Sequence, residues 1–342
     1  MLSWGTYASA GANASYVAFA SVASAGSQLQ VFPWNNGFGA KITTPTTTGG
    51  NGLATSFTNS LLALGTSFTP FVNLFDFSKG FGTRYANPAA LSSGSSYGVS
   101  IAPQENNIAL SNQVTPYIHA YPLSNGFGTK YSNPTTLPTS NANQNAFHPL
   151  GNALAVAHAS SPFVTVYNFA NGFGSKVANP ATLPTGLGLG VTFNPSGDTI
   201  AVSHLNSPYL SVYPWAGSFG TKFANPTSLP GAGASFTMSV QFSKNGLNIG
   251  ATTTASPFLH LYKWASGFST KYANPAPLPT TPVNTGPGPS VAFKDDTIFM
   301  TTTATPFVHA YPFNFSSATF GTKYTSPTIS GVTSTWSVSV KP

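Results

Sequence analysis

A short cassette occurs seven times in this 342-residue chain and limits its possible folds more than any other feature. Its frame is a phenylalanine, a basic residue three positions later and a proline seven positions later. The phenylalanines are Phe38, Phe81, Phe127, Phe173, Phe219, Phe268 and Phe320. The basic residues are Lys41, Arg84, Lys130, Lys176, Lys222, Lys271 and Lys323, and the prolines are Pro45, Pro88, Pro134, Pro180, Pro226, Pro275 and Pro327. Spacing inside the cassette never changes, whereas successive cassettes lie 43, 46, 46, 46, 49 and 52 residues apart. A rigid unit with elastic connections is the signature of a repeat architecture.

The fifth unit shows what is repeated. Leu189 to Phe193, Thr199 to His204, Tyr209 to Trp215 and Thr221 to Ala224 read as four short strands. They are separated by the turn residues Asn194 to Asp198, by Ser207-Pro208 and by Gly217 to Gly220. Asn225-Pro226 halts the last strand, since proline cannot donate to a ladder. Short strands at regular spacing predict an all-β fold, and seven four-stranded antiparallel units in a ring predict a seven-bladed β-propeller. In the third strand Leu210 and Val212 face one way while Tyr209, Tyr213 and Trp215 face the other, as expected if both faces pack on neighbouring blades. An aromatic stands at the Tyr213 position in every unit: Phe32, Phe75, Tyr121, Tyr167, Tyr213, Tyr262 and Tyr311. Burying one such ring is worth about 4–6 kcal/mol.

Both chain ends predict how the ring closes. Trp336 to Pro342 matches a first strand such as Tyr97 to Pro103, with no second strand after it. The amino-terminal segment begins at a second strand, Ser15 to Ala20, followed by Leu29 to Trp34. The ends are therefore expected to complete one shared blade and leave no open sheet at the seam. The expected single domain, 1–342, divides into a blade of 13–48 plus 334–342, followed by blades of 49–93, 94–139, 140–185, 186–231, 232–281 and 282–333.

The units resemble WD-repeat propellers. The likeness rests on Val191 to His204 (VTFNPSGDTIAVSH) followed by Tyr209 to Trp215 (YLSVYPW), and it extends over nearly the whole chain. The Trp-Asp pair of that family is replaced by Tyr213-Pro214, and the Gly-His pair before the first strand is missing, so the family's Asp-His-Ser-Trp network is not carried over. The cassette GFGTKYSNPTTLP (Gly126 to Pro138) and the Asn/Thr/Ser/Gly-rich surface also resemble propeller repeats of bacteriophage virion proteins.

Composition bears on function. Charged residues make up 5% of the chain, and twelve basic against five acidic residues give a formal charge of +7. That is too sparse for a specific nucleic-acid binder. With no cysteine there is neither a disulfide nor a thiolate site. The first residues lack the basic start of a secretory signal, and no apolar run is long enough to span a membrane. Of the acids, Glu105, Asp198, Asp295 and Asp296 fall in first-to-second-strand turns and Asp76 ends a third strand, so no carboxylate pair is expected at the centre. His119, His260 and His309 share a third-strand position, His158 and His204 end second strands, and His148 lies in a turn. They alternate with hydroxyls and amides, which points to buried hydrogen bonding rather than to a metal.

These observations predict no catalytic residue, cofactor or metal ligand. The seven cassette basic residues are the candidates for contact with a partner or an anionic surface, placed on the outermost strand as a collar around the rim. Read with the phage resemblance, they predict a non-catalytic binding or structural module of a virion surface. This would be a tail, fibre or capsid-decorating protein made in the host cytoplasm, contacting other virion proteins or the host surface. A carbohydrate-binding lectin-like propeller, with Pro-aromatic corners stacking on sugars, and a propeller hydrolase or lactonase are the other readings.

Overall fold

The seven repeats become seven antiparallel sheets. This is seen in a computed structural model that describes residues 15–23, 27–231, 237–280 and 290–342. The boundaries expected at 13, 232, 281 and 282 lie outside the described residues. The first sheet joins β1 (Ser15–Ala23) and β2 (Leu29–Trp34) to the last strand, β24 (Val332–Val340). Next come β3 (Gly52–Phe57), β4 (Leu61–Thr66) and β5 (Val72–Asp76), then β6 (Ser96–Ile101), β7 (Asn107–Asn112) and β8 (Ile118–Pro122). The fourth sheet is β9 (Ala142–Phe147), β10 (Ala153–His158), β11 (Val164–Phe169) and β12 (Phe173–Lys176). The fifth is β13 (Gly188–Phe193), β14 (Thr199–His204) and β15 (Leu210–Pro214). The last two are β16 (Thr237–Phe242), β17 (Asn248–Thr253), β18 (Leu259–Trp264) and β19 (Phe268–Lys271), and β20 (Val291–Lys294), β21 (Thr297–Thr301), β22 (Val308–Asn314) and β23 (Thr319–Phe320).

The core lies between blades. Tyr213 and Trp215 pack with Val164, Val166 and Val177 of the preceding blade. Leu210 and Val212 face the other way, against Val240, Phe242 and Tyr262 of the following one. Each sheet is thus covered on both sides, which is what its doubly apolar third strand requires. The ring closes as the chain ends predict: β24 pairs antiparallel with β1, from Val17 opposite Val340 to Ala23 opposite Val332.

The cassette is built around the third strand. Its phenylalanine stands edge-on to the buried aromatic of its own unit in all seven blades, with centroids 5.3–5.9 Å apart. The residue after the basic one, such as Phe223 or Tyr272, donates its N–H to a third-strand carbonyl. Two residues past the cassette proline, a carbonyl accepts the tyrosine hydroxyl: Tyr121 to Ala90, Tyr167 to Thr136, Tyr213 to Thr182, Tyr262 to Ser228 and Tyr311 to Pro277, all at 2.7–3.0 Å.

The fourth strand is less regular than the sequence suggests. Thr221 to Ala224 forms no regular strand; the ladder there shrinks to a bridge between Trp215 and Phe219 plus the bond from Phe223 N–H to Val212. Third strands of four units carry a proline facing the cassette, at Pro33, Pro122, Pro214 and Pro312, and proline supplies no donor. Asn168 and Lys263 stand at that position in the two blades with a four-residue fourth strand.

Candidate functional site

Six of the seven cassette basic residues are half-buried and only Lys41 is exposed. Their partners are internal. Lys130 Nζ donates to Asn133 and Lys176 Nζ to Asn179, both three residues on in the same cassette. Arg84 donates to Asn87, and also to Asn73 Oδ1 and Thr48 Oγ1 at 2.9 and 3.0 Å. Burial lowers the pKa of Lys222, Lys271 and Lys323.

Beneath these cations lie the histidines. The second-strand end and the third-strand position, which look unrelated in sequence, meet in space. His158 Nε2 bonds Thr165 Oγ1 at 2.9 Å, and His204 Nε2 bonds Ser211 Oγ at 3.1 Å. In the sixth blade the partners are exchanged: Thr253 Oγ1 meets His260 Nε2 at 3.1 Å. A hydroxyl from the inter-blade connection joins each group in four blades: Ser93 to His119, Thr139 to His158, Thr185 to His204 and Thr280 to His309. Burial is the main cause of the lowered histidine pKa values, with the cassette lysine adding to it. His119, His158 and His204 fall to about 4, and His260 and His309 to about 3. These imidazoles are structural ties. The signal for them in the sequence is that no unit carries histidine at both positions.

The Pro-aromatic corners are structural as well. Phe71, Tyr117, Phe163, Tyr209, Phe258 and Phe307 follow their prolines with φ of 59–70°. Each closes a turn through its own N–H, as Phe71 does to Phe68. Their rings are half-buried or buried rather than presented for stacking.

The central channel differs in kind. First strands from all seven sheets line one cavity of about 420 Å³. Its lining is apolar residues, hydroxyls and amides, and Lys244 carries the one charged side chain among the described residues there. Neighbouring first strands do not pair, so side chains tie them together. Thr55 N–H donates to Ser337 Oγ at 3.0 Å, Ile101 N–H to Ser56 Oγ at 3.0 Å, and Val191 N–H to Gln144 Oε1 at 3.0 Å. Ser100 bonds Asn145, whose amide also donates to Ser111. On the turn side a second belt runs through the same blades. Lys341 Nζ donates to Phe77 O, Ser60 N–H to Glu105, Gln104 to Pro149 O and His148 Nε2 to Gly197 O.

Both belts hold the first to fifth blades. In the sixth blade, Gln241 projects into the channel without a hydrogen bond among the described residues. Lys244 lies at the turn-side mouth, where it also lines a cleft of about 460 Å³ with Asn245, Asp295, Asp296 and Phe315. Among the described residues both belts stop at the fifth blade, and the sixth, where Gln241 and Lys244 line the channel, is the candidate site. The sequence reading missed Gln241 and Lys244. Lys244 stands outside the cassette, and nothing in one unit tells which first-strand amide its neighbour consumes.

No protein-family model matches the chain, and no curated protein sequence matches it. Its shape is nonetheless shared. A periplasmic gluconolactonase of Pseudomonas aeruginosa superposes with a TM-score of 0.69 at 12% identity, covering 94% of this chain and 98% of that one. A putative 6-phosphogluconolactonase from Bacteroides uniformis gives 0.70 at 11%, covering 96% and 99%. The β-propeller domain of Cps50 (Swd1) from Myceliophteria thermophila gives 0.57 at 10%, covering 83% and 89%.

The fold is a β-propeller. The expected non-catalytic role is overturned, because similar structures carry the name of an enzyme, the lactonase. The phage virion and lectin readings gain no similar structure among those described. The error was physical: scarcity of ionic residues was taken as absence of chemistry. This channel presents neutral donors and one ammonium with no carboxylate side chain among its described lining residues.

Proposed function

We propose that this propeller is a lactone hydrolase whose substrate, a small hydroxyl-rich lactone, binds in the central channel beside Gln241. The observation that carries this reading is the sixth-blade sector of the channel, where the Gln241 amide has no hydrogen bond among the described residues and the Lys244 ammonium stands in the same lining. Its support from outside is the lactonase names of propellers of similar shape. A lactone is an ester that water attacks at the carbonyl carbon. The carbonyl oxygen takes the electron pair and returns it as the ring C–O bond breaks, and the departing alkoxide takes a proton from the attacking water, leaving a hydroxy acid. Gln241 Nε2–H is the donor to the developing oxyanion, and such a donor is worth on the order of 10²–10³ in rate. Lys244 holds the carboxylate of the product at the mouth, while Ser239, Ser290 and Ser339 supply neutral partners for hydroxyls.

The test is base uptake in a pH-stat with glucono-δ-lactone. The purified protein is expected to exceed buffer hydrolysis, and Gln241→Ala to lower kcat/KM by about a hundredfold with an unchanged melting temperature. Hydrolysis no faster than buffer, or unaffected by Gln241→Ala, would overturn the proposal.

A further inference from the structure

A second cavity, of about 290 Å³, opens on the turn side of the ring between the fourth and fifth blades, away from the channel. Its walls come from two turns and two strand ends. His148, Leu150 and Asn152 belong to the turn after β9, and Ser196 to Asp198 to the turn after β13. Asn168 lies on β11, and Trp215 to Gly217 follow β15.

Asp198 is the one carboxylate in this lining. Its Oδ1 accepts from Asn194 Nδ2 at 2.7 Å and from Thr199 Oγ1 at 2.9 Å. These bonds fix the carboxyl orientation; Ser196 is a further donor, and a carboxylate with about four lone-pair sites keeps acceptor capacity toward the cleft. The Asn194 bond, ahead of the others, lowers the Asp198 pKa, so the group is ionised at neutral pH. Asn168 spends its amide nitrogen on Ser175 Oγ, which leaves its carbonyl oxygen. His148 accepts from Leu150 N–H at Nδ1 and donates from Nε2 to Gly197 O, so both ring nitrogens are already engaged. The rest of the wall sets the polar Asn152 and Ser196 beside apolar surface: Trp215 and Ala153 are buried, while Leu150 is 71% exposed.

A cavity with one oriented anion, a free carbonyl oxygen and an uncovered leucine favours an ammonium head on a short apolar body. We propose that this inter-blade cleft is a binding site for small organic ammonium ions, that is, protonated primary amines with a short alkyl chain. The head would pair with Asp198 Oδ2 and Asn168 Oδ1, and the alkyl chain would cover Leu150. Anions meet the carboxylate and are repelled. Neutral alcohols of the same shape lose the charge-assisted bond.

The experiment is a titration of the full chain with n-butylammonium, followed by NMR shift changes, with n-butanol and butyrate as controls. Binding of n-butylammonium at least tenfold tighter than either control is expected. Asp198→Asn, checked for folding by circular dichroism, should remove that preference. Leu150→Lys leaves the Asp198 turn untouched and places a competing ammonium in the cleft, so it should remove it too. Equal binding of n-butylammonium and n-butanol, or an unchanged preference in both variants, would overturn the proposal. Lactone hydrolysis plays no part in this readout.

Discussion

Tyr213 shows at the scale of one residue how a unit holds its own cassette and is tied to the one before it. The ring is fully buried, meets Phe219 edge-on, and sends its hydroxyl to Thr182 O at 2.7 Å. Phe32 and Phe75 fill the same position in two other blades without a hydroxyl, so the ring is the general requirement and the hydroxyl an addition. Tyr213→Phe is therefore expected to cost about 1 kcal/mol and lower the thermal midpoint by a few degrees. Phe219→Ala removes the aromatic partner and is expected to cost about 3–5 kcal/mol. Urea denaturation of both variants checks the ratio, and equal losses would mean that ring packing does not dominate. The ring position was legible in the sequence because it recurs. The acceptor was not, since Thr182 lies 31 residues before its tyrosine.

At the scale of the element, the second- and third-strand histidines give the blade its response to acid. Their pKa values, about 3–4 in the folded chain, lie below the ordinary histidine value of 6.5, so the unfolded state binds more protons between those limits. Stability is full above about pH 6.5 and falls as the pH drops toward 4. At pH 5 each imidazole contributes a loss of about 2 kcal/mol. Cooperative unfolding between pH 6 and 4 with uptake of several protons is the expected outcome, measured by circular dichroism with potentiometric titration. A midpoint below pH 3 would show that these rings are not the acid-sensitive groups.

The exchange of partners between blades supplies a second test. His158→Thr alone removes a buried partner from Thr165. His158→Thr combined with Thr165→His recreates the arrangement of Thr253 and His260 and is expected to recover most of the lost stability. Failure to recover would mean that the two positions are not equivalent across blades. Both histidine positions could be read from the sequence, but their contact could not, because it depends on the register of β10 with β11.

At the scale of the whole molecule, the ring depends on its seam. β24 runs along β1, and Lys341 is buried where the first and second blades meet. Its Nζ donates to Phe77 O and Ser78 O and stands 5.9 and 5.8 Å from the Tyr16 and Phe77 ring centres. Deleting 334–342 strips the edge of β1 and uncovers Val17 and Phe19, so unfolding or aggregation is expected. A truncated chain that melts within a few degrees of the full one would remove the seam from the account. Lys341→Ala leaves the strand in place and is expected to cost about 1–3 kcal/mol through the carbonyls it leaves unpaired.

By itself the sequence determined the number of units, the order of strands within each, the buried third-strand aromatics and the way the two ends share a blade. All of these follow from local periodicity, and a period survives in the linear chain. Only the tertiary structure decided which polar groups remain available. Gln144 and Asn145 are taken up by a neighbouring blade whereas Gln241 has no such bond among the described residues, because each bond joins first strands about one repeat apart. The functional reading failed for the same reason. Residue types can be counted along a chain, but the free valence of a hydrogen-bonding group exists only once its neighbours are in place.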